Sequence, residues 1–231
     1  MKILLIAGHG DGDPGAIGNN YAEANLARDL VQKIKNYLTN YAEVTIFDTN
    51  KNMYNYLKSG KTFNFSPYNY ILEIHFNAAS LGGAGTEILV HTKQNGISVE
   101  EKILNNLCKL GFRNRGIKRR SNLLNMNYIF NKGKDYALIE TCFITNKSDM
   151  AIYNADRVAD SIARGVIEGF GLKAPEPAPP QELISVNDIV WELAHRGIIT
   201  NKNLWLKKLK EDSNAYWLAR KTVAYFIREN V

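Results

Sequence analysis

Long apolar runs are missing from this sequence. No stretch approaches the roughly 20 apolar residues that a membrane span needs, so no spanning helix is expected. Cysteine is scarce. The two thiols, Cys108 and Cys142, are too few for a disulfide framework, and no CxxC pair offers a zinc knuckle. Reduced, mostly buried thiols and synthesis in a reducing cytosol are expected. The opening apolar run, Lys2–Ala7, is too short for the core of a secretory signal and passes straight into a glycine-rich loop. The expected chain is therefore made in the cytoplasm without a signal peptide. No internal repeat occurs at periods of roughly 20–50 residues, which excludes a solenoid. Histidine is sparse too, with four in the chain, so each imidazole can be weighed singly.

What is present fits one α/β domain and a small appendix. The 231 residues are 45% hydrophobic, enough to bury a full core. The formal net charge of +6 suits an anionic partner but does not specify one. Of six prolines, four fall between Ala174 and Pro180, a composition that favours an extended spacer. The expected organisation is a large domain over 1–172, a proline-rich linker over 173–183 and a small helical module over 184–231.

Before the linker, strand-like and helix-like patterns alternate. Strands are expected at 2–7, 43–47, 70–76, 86–91 and 136–141, and helices at 22–38, 99–110 and 155–170. Such alternation predicts an α/β fold, a mixed and mostly parallel sheet with helices on both faces. The tail reads as three short helices, the third capped by Ser213. It holds all three tryptophans, Trp191, Trp205 and Trp217. In so small a unit they are more readily core residues than sugar-stacking platforms or a self-association face.

Three apolar runs end in residues able to bind metal or move a proton. Lys2–Ala7 runs into His9, 70–74 into His75 and 136–139 into Glu140. In open α/β sheets, sites form beyond the carboxyl ends of strands. Glu23 adds a fourth group. At 100° per residue, Ala27, Leu30 and Ile34 fall within about 40° of it, so it sits on the buried stripe of its helix. A buried carboxylate is costly unless paired or bound to metal. Two imidazoles and a carboxylate make a common catalytic zinc shell, and a separate glutamate then suits general acid–base work. Each residue also has a plain reading: a turn histidine at His9, a core histidine at His75, a buried ion pair at Glu23. Glu140 could likewise pair with Arg113, Arg115 or Lys118. His91, at another strand end, competes for a ligand role, whereas His195 reads as a surface residue. Glu73 shares a strand face with His75 and has either a structural or a ligand-orienting role.

Two other classes are disfavoured. Residues 10–15 match GxGxxG by letter, but Asp11 and Asp13 would repel a pyrophosphate and the helix starts too late to cradle it. The basic cluster Lys118, Arg119 and Arg120 is isolated, so no nucleic-acid partner is expected.

Taken together, four blocks carry a family resemblance. They are Gly8-His9-Gly10 with Asp13-Pro14-Gly15-Ala16, then Glu23-Ala24-Asn25-Leu26, then Glu73-Ile74-His75-Phe76-Asn77-Ala78, then residues 138–146 around Glu140. Over roughly 2–172 the chain resembles the zinc-dependent N-acetylmuramoyl-L-alanine amidases of the amidase-3 family. The resemblance implies that His9, Glu23 and His75 hold one Zn²⁺ and that Glu140 is the catalytic acid–base residue. It implies a peptidoglycan partner, cut between N-acetylmuramic acid and L-alanine, and a phage or prophage endolysin-like protein acting on the cell wall after release. Cys142, where many members have glycine, and the short loop 51–67 depart from the pattern. Two other readings stay open. One is a zinc carboxypeptidase acting on stem peptides, with Arg115 or Arg119 binding a terminal carboxylate. The other is a catalytically inactive peptidoglycan-binding protein. The helical module is expected to attach to the wall or to mediate oligomerisation.

Overall fold

The computed structural model describes residues 1–80, 82–174 and 185–229. The chain divides into two compact units after Ala174. The linker expected over 173–183 lies, beyond Ala174, outside the described residues.

The first unit is built on a six-stranded sheet. In chain order its strands are β1 (Lys2–Ala7), β4 (Glu43–Ile46), β5 (Tyr70–Asn77), β6 (Thr86–His91), β7 (Asn114–Arg120) and β8 (Asp135–Phe143), and a separate two-stranded ribbon joins β2 (Ile17–Gly18) to β3 (Tyr21–Ala22). The spatial order is β4-β1-β5-β8-β6-β7. β4, β1, β5 and β8 are mutually parallel; β6 meets β8 antiparallel and carries β7 parallel to itself. The sheet is therefore mixed and mostly parallel, as the alternating pattern predicts.

The central strands are apolar on both faces because helices cover both. One face packs against α1 (Glu23–Leu38), α3 (Ser98–Lys109) and α6 (Ala155–Phe170), through a core that includes Leu5, Leu30, Ile34, Leu72, Ile103, Ile139 and Ile162. The other packs against α2 (Met53–Lys58) and α4 (Leu124–Phe130), around Leu4, Ile6, Met53, Ile71, Met126 and Leu138. On α1, Ala27, Leu30, Val31, Ile34 and Leu38 are fully buried. Each such aliphatic side chain larger than alanine contributes about 1.5–3 kcal/mol on leaving water.

Six elements escape the sequence pattern, the two-residue strands β2 and β3 among them. β7 reads Asn-Arg-Gly-Ile-Lys-Arg-Arg, a charged strand at the sheet edge, where alternation is weak and charge guards against edge pairing. Helices α2, α4 and α5 (Lys147–Ile152) span only six or seven residues, too few for a helical period to emerge. β5 and β8 also run past their expected ends. His75 and Glu140 lie inside strands, because pairing continues to Asn77 and Phe143 across a register shift.

The second unit contains α7 (Val186–His195), α8 (Lys202–Glu211) and α9 (Ser213–Glu229). Its core is Ile189, Val190, Leu193, Ile199, Leu209, Ala219 and Val223. Two expectations are corrected here. Aliphatic residues fill the core, so only Trp205 packs against it, while Trp191 and Trp217 are more than half exposed. The N–H groups of Asn214 and Ala215 are accepted by Asp212, whose carboxylate supplies the cap expected of Ser213.

Candidate metal centre

The first β–α connection builds half of the site. α1 begins without a side-chain cap at Ala22. Its first amides are satisfied instead by the incoming loop: Glu23 N–H donates to the Ala16 carbonyl and Ala24 N–H to that of Pro14. The Ala16 N–H returns a bond to Glu23 Oε2 at 2.9 Å. This exchange locks the loop onto the helix and holds the Glu23 carboxylate inward, 3% exposed. His9 adopts a left-handed backbone, φ 58°, unusual for a non-glycine residue and typical of strained functional loops.

Arg28, one turn further along α1, pins the same loop from below. Its guanidinium donates to the carbonyls of Gly8 (3.1 Å), His9 (2.9 Å), Ala24 (2.8 Å) and Thr49 (2.8 Å). Asp13 supports His9 from the side. Its Oδ2 meets His9 Nδ1 at 2.8 Å and accepts from Asn52 Nδ2, while its Oδ1 accepts from Gly15 N–H. Neither residue stands out in the sequence. Asp13 was legible as an obstacle to phosphate and as part of the first block of the family resemblance, with no role attached, and nothing local marks Arg28.

His75 comes from β5. The parallel register sets Gly8 beside it, and a Cβ on Gly8 would lie 2.4 Å from the ring. Glycine is thus needed there for close approach. His75 Nδ1 lies 2.8 Å from Glu23 Oε1, and His9 Nε2 lies 3.1 Å from Glu23 Oε2. One ligand atom from each of His9, Glu23 and His75 lies within 4.8 Å of the others. The fold thus brings together three residues that are 14 and 52 positions apart in the chain.

The electrostatics of this cluster favour positive charge at its centre. Burial alone would raise the Glu23 pKa, but hydrogen bonds to His75 and His9 outweigh it and hold the carboxyl well below the usual range. Burial likewise opposes protonation of His75, yet Glu23 and Glu73 raise its pKa well above 6.5. At His9 the Glu23 contact dominates and raises the pKa against burial. Glu23 and Glu73 are both buried, and no lysine or arginine among the described residues pairs with either. Two imidazoles and a carboxylate, with a second carboxylate behind, suit a divalent ion that prefers nitrogen and oxygen donors.

Glu140 stands apart from the cluster and beside it. Its Cα pairs with that of His75 across β5 and β8. Its Oε2 is buried and lacks a hydrogen-bond partner. Burial pushes its pKa up to about 7; the charge on His75 pulls it down, and those on Glu23 and Glu87 add to the rise. The ion pair that would make Glu140 a structural residue is taken by a neighbour. Glu87, its register partner on β6, binds Arg115 at 2.8 Å and Lys118 at 2.7 Å. Arg115 also lies over the Phe143 ring, and Arg119 donates to the Gln94 carbonyl, so the arginines that a carboxypeptidase would use are already engaged.

The remaining histidines lie elsewhere. His91 stacks on Phe130 at 3.8 Å and accepts from Lys93 N–H, and His195 stacks on Trp191 in the second unit. A cavity of about 340 Å³ opens beside His9 and His75, walled by Met53, Tyr54, Leu123, Leu124 and Leu138 with Asn52 and Asn125 among them.

Three donor groups within 4.8 Å of one another, a neighbouring carboxyl with a pKa of about 7 and an adjoining cleft in an α/β sheet are an arrangement able to hold a divalent ion beside an acid–base group, as in hydrolases. Residues 3–171 match the family model described as N-acetylmuramoyl-L-alanine amidase, and the chain belongs to this amidase-3 family. It is 32% identical over 169 residues to the probable autolysin PH of Staphylococcus aureus, covering 64% of this chain and 34% of that protein. It is 28% identical over 174 residues to the endolysin of Bacillus phage SPP1, covering 73% of this chain and 64% of that protein. The chain thus spans less than two thirds of the length of either relative. Its fold is that of the catalytic domain of the CD27L endolysin targeting Clostridia difficile, with a TM-score of 0.61 at 24% identity, over 73% of this chain and 97% of that one. Among the described residues, no helix is long and apolar enough to cross a membrane.

Proposed function

We propose that the chain is a zinc-dependent peptidoglycan amidase that hydrolyses the bond between the lactyl group of N-acetylmuramic acid and L-alanine of the stem peptide. One observation carries the reading: a three-donor cluster of His9, Glu23 and His75 stands beside Glu140, whose buried Oε2 has no hydrogen-bond partner. His9 Nε2, the Glu23 carboxylate and His75 Nδ1 are the atoms that would hold the ion. A bound zinc ion supplies Lewis acidity, polarising a carbonyl oxygen and acidifying water.

Glu140 does the proton work. Its Oε2 accepts a proton from the water that attacks the lactyl carbonyl, and the new C–O bond forms. The C–N bond then breaks, and Glu140 returns the proton to the leaving nitrogen of L-alanine. A carboxyl held near pH 7 by its surroundings can do both.

The test is mass spectrometry of digested cell wall. An amidase frees intact stem peptides with a new L-alanine amine; loss of a terminal residue from the stem would instead indicate a carboxypeptidase. Chelation should abolish the digestion and added Zn²⁺ restore it. The second unit is assigned to wall attachment, supported by its exposed Trp191 and Trp217. Residues 181–231 fused to a fluorescent protein should decorate walls, and a fusion that stays in solution would refute the assignment. On this reading the protein works on the wall after release from the cytoplasm.

A further inference from the structure

We propose that Glu73 is a positioning residue for the metal centre, held by Asn125 and Tyr136 so that His75 carries its proton on Nε2 and turns Nδ1 toward Glu23. The inference rests on the proposed role of His75 as a metal ligand.

Glu73 and His75 stand two residues apart on one face of β5, and Glu73 Oε1 meets His75 Nε2 at 2.9 Å. Three elements converge on this carboxylate. Asn125, at the start of α4, donates Nδ2 to both oxygens, at 3.1 and 3.0 Å. Tyr136, on β8, donates its hydroxyl to Oε2 at 2.7 Å. With His75 these contacts use the acceptor capacity of both oxygens, so the carboxylate has no freedom to turn.

The arrangement favours the carboxylate over its neighbours' own needs. Asn125 leaves its Oδ1 buried without a partner. A network made only for stability would satisfy that oxygen too. The same device recurs at His9, whose Nδ1 meets Asp13, but there the carboxylate is 43% exposed against 5% for the Glu73 side chain. Solvent screens the first arm and not the second. Buried Glu23 and Glu73 together carry the two negative charges that a divalent ion neutralises. A ligating histidine whose other N–H meets a carboxylate gains a fixed ring and greater basicity.

The test measures zinc dissociation constants by competition with a chromophoric chelator. It compares the intact chain with Glu73→Gln and Tyr136→Phe, alongside melting temperatures of the chelated proteins. Glu73→Gln should weaken zinc by roughly 10–100-fold. Tyr136→Phe, which leaves His75 untouched, should weaken it by a smaller factor. Nitrogen NMR of the zinc-loaded protein should find the His75 proton on Nε2. Unchanged zinc constants with lowered melting temperatures would make Glu73 a structural residue and overturn the proposal. Should Glu73→Gln fail to fold, an unchanged constant in Tyr136→Phe overturns it equally. His75→Ala binding zinc as tightly as the unaltered chain would instead remove the ligand assignment itself, a separate failure.

Discussion

His75 and Glu140 are register partners on adjacent parallel strands, and the ladder shifts immediately after them. Partners in register on neighbouring strands share a sheet face. The proposed ligand and the proposed proton-transfer group are thereby fixed side by side by backbone hydrogen bonds. Glu140→Gln keeps that geometry and removes the proton acceptor. It should lower turnover on cell wall by roughly 10²–10⁴-fold while leaving zinc stoichiometry unchanged. Wall-clearing rates near those of the unaltered protein would rule out the role.

The Glu140 carboxyl also links stability to pH. Its pKa is about 7 in the fold against an ordinary value of 4.5. Between these values the folded chain keeps a proton that the unfolded chain releases. Its stabilising contribution is complete below pH 4.5 and is lost as pH rises through 7. A difference of this size corresponds to about 3 kcal/mol. In chelated protein, Glu140→Gln should therefore melt higher than the parent at pH 8 and alike near pH 5. Equal melting at both values would contradict it.

Metal affinity should climb with pH past the ordinary imidazole range. The carboxylates around His9 and His75 raise the pKa of both rings, so protons compete for the ligand nitrogens to above pH 6.5. Zinc binding must displace those protons. Calorimetry in buffers of different ionisation enthalpy should detect their release near neutrality. Binding without proton release at pH 6.5 would show that the rings are already neutral there.

Gly15 and Gly12 form a matched pair for the loop. Both have positive φ, 65° and 86°, so alanine costs about 1–2 kcal/mol at either. Only at Gly15 would the new Cβ crowd the site, 2.7 Å from Glu23 Oε2 and His9 Cδ2; around Gly12 nothing lies within 4 Å. Gly15→Ala should lose zinc affinity as well as stability, and Gly12→Ala only stability. Similar zinc titrations for the two variants would contradict this.

Arg28→Ala removes the donor that ties the Gly8 and His9 carbonyls to α1. Several hydrogen bonds from one charged group suggest a loss of about 2 kcal/mol or more. Amide exchange of residues 8–12 should accelerate, and zinc should bind more weakly. Exchange rates unchanged from the parent would remove Arg28 from the loop's support.

Local pattern carried much of the first unit. The run of Lys2–Ala7, the stripe of α1 and the alternation around His75 are each set within a few residues by backbone geometry. They made His9, Glu23, His75 and Glu140 visible as a group of suitable chemistry. The edge strand β7 was not visible, because its charges answer to an exposed edge and not to a buried face. Nor were the exposures of Trp191 and Trp217, since aliphatic side chains already fill that small core.

The sequence by itself determined the alternating α/β plan and supplied four residues able to bind a cation or carry a proton. Tertiary structure alone decided their partners: Glu87 takes Arg115 and Lys118, Glu140 is left without a hydrogen bond at Oε2, and Asn125 and Tyr136 close on Glu73. The reason is one of range. Periodicity is written between near neighbours, whereas a hydrogen bond needs two atoms within about 3 Å, and those atoms here come from segments up to 63 residues apart.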